Sequence, residues 1–229
     1  VAETLRQNGY STAAFGKWHE TAPWEVSVSG PFFRWPTNSG FDKFYGFIGG
    51  ETNQWDPVIF DGVTKVEKKD NDDYHFTTDM TDEAIEWIKF QHAMTPDRPF
   101  MVYYATGAVH APHHAPKEWI EKYKGKFDDG WDAYRERVFK KAKDKGWIPQ
   151  SAELTPRPET MASWASIPED EKPFQRRLME VFAGFTEHAD FHVGRIIDHI
   201  DAMGELDNTI VFYIWGDNGS SSEGLYGTI

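Results

Sequence analysis

Cysteine is absent from all 229 residues. That removes disulfides, thiolate metal sites and a cysteine nucleophile from this stretch of chain, and it fits cytosol and periplasm alike. Long apolar runs are absent too: none approaches the roughly 20 residues that span a bilayer as a helix, so a soluble protein with no membrane partner is expected. Positive charge is scarce. The 24 Lys and Arg face 37 Asp and Glu, a formal net charge of −13. A reader of a phosphate backbone needs a basic stripe, so nucleic acid is not an expected partner. Internal repeats and low-complexity segments are likewise missing. What the chain does have is 39% hydrophobic and 16% aromatic residues, enough to bury one sizeable core. An oligomer is compatible with this composition.

Residues 1–10 read as the end of a helix, with Leu5 toward the core and Gly9 as its stop. Residues 219–229 are rich in Ser and Gly and hold no closing element. The expectation is an internal piece of a longer protein.

Ser11 to Phe15 is small and apolar enough for a buried strand and runs into Gly16-Lys17-Trp18-His19. Residues 22–62, rich in Gly, Pro and aromatics, predict a well-packed irregular region with short extended pieces. A helix is expected from a cap at Thr78 or Asp79 to about Met94, with Met80, Ala84, Trp87 and Ile88 on one face. Phe100 to Tyr104 fits a buried strand. Residues 117–150 read as charged surface helices with a loop, and 151–170 as a connection. From Lys172 to Met203 apolar residues recur at helical spacing, including Phe185, Ala189, Val193, Ile196 and Ile200, and Gly204 ends the run. Thr209 to Trp215 is an uninterrupted apolar run of strand length. Helix, short turn and two-sided apolar strand predict an α/β fold with a mostly parallel central sheet flanked by helices.

The polar residues of interest follow the three expected strands. Lys17 and His19 follow the first, His110, His113 and His114 the second, Asp217 and Asn218 the third. Ligands of open α/β sheets bind outside the carboxyl ends of the strands. Asp217 and Asn218 offer two hard oxygens suited to Ca²⁺ or Mg²⁺; Asp-Asn-Gly is equally a plain turn. Lys17 and His19, two apart in extended chain, share a side and suit an oxyanion; an exposed Lys beside a structural His is the bland reading. In residues 108–116 the adjacent His113 and His114 point apart, which disfavours a zinc site. One inward His, with two at the surface or supporting it, is expected.

Together these residues resemble the sulfatase family of the alkaline-phosphatase-like superfamily. Gly9-Tyr10 before Gly16-Lys17-Trp18-His19 is similar to the family's second signature. Gly40-Phe41-Asp42 and Phe44-Tyr45-Gly46-Phe47 resemble the segment that follows it. The stretch 108–116 with Lys117-Glu118 and Tyr123 resembles bacterial arylsulfatases, and Gly204 to Thr209, the apolar run and Asp217-Asn218-Gly219 resemble the family's metal block.

The resemblance covers essentially the whole chain. It implies the central portion of one larger alkaline-phosphatase-like catalytic domain, here 1–229, with a charged helical and loop insertion at about 117–170. It implies that Lys17 binds sulfate oxygens, that His19 hydrogen-bonds the nucleophile, and that His110 contacts the sulfate or protonates the leaving oxygen, with His113 in reserve. Asp217 and Asn218 would ligate a divalent cation, Ca²⁺ or Mg²⁺. The family's formylglycine arises from Cys or Ser in a Cys/Ser-x-Pro-x-Arg motif, which these residues do not contain.

The expected function is hydrolysis of small sulfate esters by the parent protein, with no turnover by this polypeptide alone. The rivals are a phosphonate or phosphate ester hydrolase of the same superfamily, a non-catalytic member of the fold, and a zinc protein built on the histidines. A net negative surface makes a highly sulfated polymer a less natural substrate.

Overall fold

A computed structural model of the chain describes residues 1–216. They divide into two compact units: Val1–His114 with the chain from Phe185 on, and Ala115–Gly184.

The first unit is built on a mixed five-stranded sheet in the order β4-β3-β2-β1-β5. Helix α1 (Ala2–Gln7) leads through Gly9, at φ +91°, into β1 (Ser11–Trp18). Strand β1 pairs in parallel with β2 (Lys43–Ile48) on one side and with β5 (Phe100–Ala105) on the other. The antiparallel hairpin β3 (Ile59–Asp61) and β4 (Thr64–Val66), turning at Gly62, extends the β2 side. The parallel centre is as expected. Strand β2 and part of the hairpin fall in the stretch read as irregular with short extended pieces; three-residue strands are too short to show a period.

Side chains alternate across these strands. Ala13 and Phe15 of β1, Tyr45 and Phe47 of β2, and Ile59 of β3 meet Phe76, Met80, Ala84 and Ile88 of α2 (Phe76–Met94), with Ile196 and Ile200 of α5 (Lys172–Ala202). On the opposite face Ala14, Phe44, Ile48 and Phe60 pack with Trp35, Phe41 and Ala2. The period of 2 puts apolar residues on both faces, so the strands read as continuous runs. Each fully buried Phe or Ile side chain stabilises this core by roughly 1.5–3 kcal/mol.

Two expectations are corrected. Helix α2 starts at Phe76, and its cap is His75, whose Nδ1 accepts from Thr77 N at 3.1 Å. Thr78 and Asp79 lie inside the first turn. Asp79 is buried, where it accepts from Tyr45 Oη at 2.5 Å and Tyr74 Oη at 2.9 Å and pairs with Lys69 Nζ at 2.7 Å. An imidazole nitrogen caps as a carboxylate does, a role the usual residue list omits.

The second correction concerns Thr209 to Trp215, which forms no strand. Ile210, Phe212 and Ile214 are 80%, 82% and 89% exposed. An apolar run becomes a buried strand where a neighbour completes its ladder, and none of the five described strands pairs with it.

The second unit holds α3 (Lys117–Glu121), α4 (Gly130–Asp144) and the start of α5, as the charged helical reading of 117–150 expects. Glu180 on α5 accepts from Gly125 N at 2.9 Å and from Arg177 at 2.8 Å, while Arg177 also holds Glu121 at 2.9 Å. The rings of Trp131 and Trp164 meet edge to face at 4.9 Å. No helix among the described residues is long and apolar enough to cross a membrane.

Candidate active site

The carboxyl ends of β1, β2 and β5 lie side by side, because the register matches Lys17 to Phe47, Trp18 to Ile48 and Gly16 to Ala105. Glycine makes this approach feasible. A Cβ on Gly16, at φ +101°, would lie 2.0 Å from the Ala105 carbonyl oxygen. One on Gly46 would lie 1.9 Å from that of Gly16. Gly16, Lys17 and Trp18 thus stay paired in the sheet through this close approach, and His19 follows the last residue of β1.

Lys17 is half-buried at the end of β1, and His19 is exposed just beyond it. The His19 ring rests against Gly50 of the loop after β2, where an added Cβ would meet Cε1 at 3.0 Å. Trp18 points elsewhere and donates from Nε1 to the Arg34 carbonyl at 2.8 Å.

His110, half-buried in the segment after β5, approaches Glu51, the residue after Gly50 in the loop that follows β2: its Nδ1 lies 3.8 Å from Glu51 Oε2. The same Nδ1 lies 2.7 Å from the Ala111 carbonyl oxygen. A carbonyl can only accept, so the proton sits on Nδ1, and Nε2 is the nitrogen at which the ring takes up or gives a proton. The strand-end loops thus bring His19 and His110 to consecutive residues, Gly50 and Glu51. Beside them a cavity of about 350 Å³ is lined by Phe47, Glu51, Thr52, Asn53, Asp56, Val58 and Pro112.

All three histidines of the 108–116 stretch are half-buried. The His114 Nδ1 accepts from Gln54 N at 3.3 Å, and its ring stacks on Trp55 at 6.4 Å. Burial, and then the nearby His113, lowers its pKa. These packing partners come from a loop about sixty residues earlier, which local sequence does not reveal.

Sequence reasoning missed a set of buried histidines. His75, His188 and His192 are each 3% exposed. Burial holds His75 at a pKa of about 4, and burial followed by the Arg195 charge holds His192 at about 4. The available signal was the four-residue spacing of His188 and His192 within the apolar face of α5, at the same spacing as its core residues.

Asp217 and Asn218 lie outside the described residues. Among the described residues no group of three His, Asp or Glu could hold a metal ion. A carboxylate and an amide oxygen are chemically suited to a hard divalent cation.

The profile of a family described as Sulfatase matches residues 1–228. An uncharacterised sulfatase of Schizosaccharomyces pombe is 29% identical over an alignment covering 98% of this chain and 41% of the relative. An arylsulfatase of Klebsiella aerogenes is 25% identical, covering 99% of this chain and 48% of the relative. The chain therefore spans less than half the length of these curated relatives. Among solved structures, that of a putative sulfatase from Bacteroides fragilis superposes with a TM-score of 0.60 at 21% identity, covering 91% of this chain and 41% of that one.

Proposed function

This chain belongs to the sulfatase family, and from that membership we propose that the protein containing it hydrolyses small sulfate esters in the manner of an arylsulfatase. A sulfate ester resists attack because its oxygens repel a nucleophile and its leaving oxygen must accept negative charge. Positive charge on the nonbridging oxygens and proton donation to the leaving oxygen lower that barrier.

Lys17 supplies the fixed charge on the sulfate oxygens. His19 hydrogen-bonds the nucleophile. His110, with the Nδ1 proton committed to the Ala111 carbonyl, contacts the sulfate through Nε2 or, when Nε2 carries a second proton, passes that proton to the leaving oxygen and returns to the neutral ring. Asp217 and Asn218 hold a divalent cation, Ca²⁺ or Mg²⁺, which when bound supplies Lewis-acid polarisation. The nucleophile is a formylglycine from a motif that these 229 residues do not contain, and the chain by itself is expected to show no turnover.

One observation carries this reading: a family match running the length of the chain, in which the Lys17–His19 and His110 segments leave adjoining parallel strands. Asp217→Ala in the intact protein is expected to abolish hydrolysis of an aryl sulfate and to lower bound calcium. Lys17→Ala is expected to reduce kcat/KM by about 100-fold or more. Unchanged turnover in either variant overturns the assignment, and faster turnover of a phosphonate ester than of a sulfate ester moves it to the neighbouring hydrolase class.

A further inference from the structure

The buried histidines have no part in the chemistry above, yet they form a continuous row. Ring centroids of His75 and His188 are 4.5 Å apart, as are those of His188 and His192. Their neighbours set the protonation of the two ends. His75 Nδ1 accepts from Thr77 N, so its proton is on Nε2, which donates to the His114 carbonyl at 2.9 Å. At the far end Arg195 Nη1 lies 3.0 Å from His192 Nδ1, and a guanidinium can only donate, so that nitrogen is bare. The proton of His192 is then on Nε2, which lies 3.2 Å from Thr78 Oγ1 and 3.1 Å from His188 Nε2. Arg195 is itself held by Asp82 at 2.6 Å. Both end rings are therefore neutral, each with one nitrogen accepting and one donating.

The clamp falls on a segment that matters. The His114 carbonyl is four residues beyond His110, and the same residue is tied a second time through Gln54 N and the Trp55 ring. Trp55 in turn meets His75 edge to face at 4.7 Å.

We propose that His75 is a positioning residue for His110: its Nε2–H fixes the segment 106–114 against the first turn of α2, Thr77 N holds it in the tautomer that this requires, and the His188 ring packs against it edge to face. The role of His110 rests on the function proposed above; the clamp itself does not.

Three measurements on the intact protein test it. Long-range nitrogen–proton correlation of the histidine rings should show His75 as the neutral Nε2–H tautomer at pH 7; a charged ring or an Nδ1–H tautomer overturns the proposal without any substitution. In hydrogen exchange, His75→Leu should speed the amides of 106–114 by about tenfold or more while those inside β1 and α2 keep their protection. His75→Gln, which retains a donor, should stay near the unsubstituted protein. Equal protection in the Leu variant overturns the clamp.

In steady-state kinetics on an aryl sulfate, His75→Leu should lower kcat about tenfold or more with KM little changed, and Gln should recover most of the loss. An unchanged kcat overturns the positioning role. If the unsubstituted protein turns over no sulfate ester, the functional reading falls, and the resonance and exchange results still decide the clamp.

Discussion

At the scale of single residues, the site depends on glycines that let three strands meet. Gly46 faces the Gly16 backbone, so Gly46→Ala forces a Cβ to within 1.9 Å of a carbonyl oxygen with no flexible side chain to yield. We expect a loss of about 3 kcal/mol or more in denaturant unfolding. The buried histidines make stability depend on pH. Folded His75 and His192 titrate near 4, against 6.5 for the free ring, so the unfolded chain binds more protons between those values. Their contribution is complete above about pH 6.5 and is lost as pH falls toward 4. Urea midpoints measured from pH 7 to pH 4.5 should fall progressively, and His192→Phe should flatten the fall. Lys17, His19 and His110 could be singled out as candidates from the sequence because each stands in a short pattern next to a strand. His75, His188 and His192 were not, because a histidine within an apolar period reads as ordinary core until three separate segments are seen to converge on it.

At the scale of elements, the long periods survived folding well. Helix α5 ends before Gly204, which takes φ +76°, and β5 begins directly after Pro99 as read. Short or unusually capped elements did not survive: the three-residue strands β3 and β4 and the His75 cap needed partners that no local window contains. Helix α5 also carries a packing requirement that its sequence alone does not state. A Cβ on Gly184 would come within 2.8 Å of Ile120 N and 2.9 Å of the Trp119 carbonyl carbon. Gly184→Leu should therefore loosen the 115–184 unit by about 1–3 kcal/mol despite a gain in helix propensity. Proteolysis of residues 117–150 should quicken in that variant, while the sheet of the other unit remains protected.

At the scale of the whole molecule, the exposed run at 210–215 is the largest departure from the sequence reading. Ile210, Phe212 and Ile214 present apolar surface to solvent, and a contiguous patch of that kind drives association or dye binding. Phe212→Lys with Ile214→Lys should reduce binding of a hydrophobic fluorophore and lower the apparent mass in sedimentation, and no change in either would show the run to be covered in solution. Tyr213 in the same run donates to Asp190 at 3.0 Å, and burial together with this bond pushes its phenol up to about 12. Sequence by itself determined strands β1 and β5, the long helices and the family, because apolar period and short motifs are local properties of the chain, whereas β2 lay in the stretch read as irregular. Tertiary structure decided the crowding at Gly16 and Gly46, the loop shared by His19 and His110, and the row of neutral histidines behind His114. Those depend on register and on contacts between residues up to 114 positions apart, which a linear pattern does not encode.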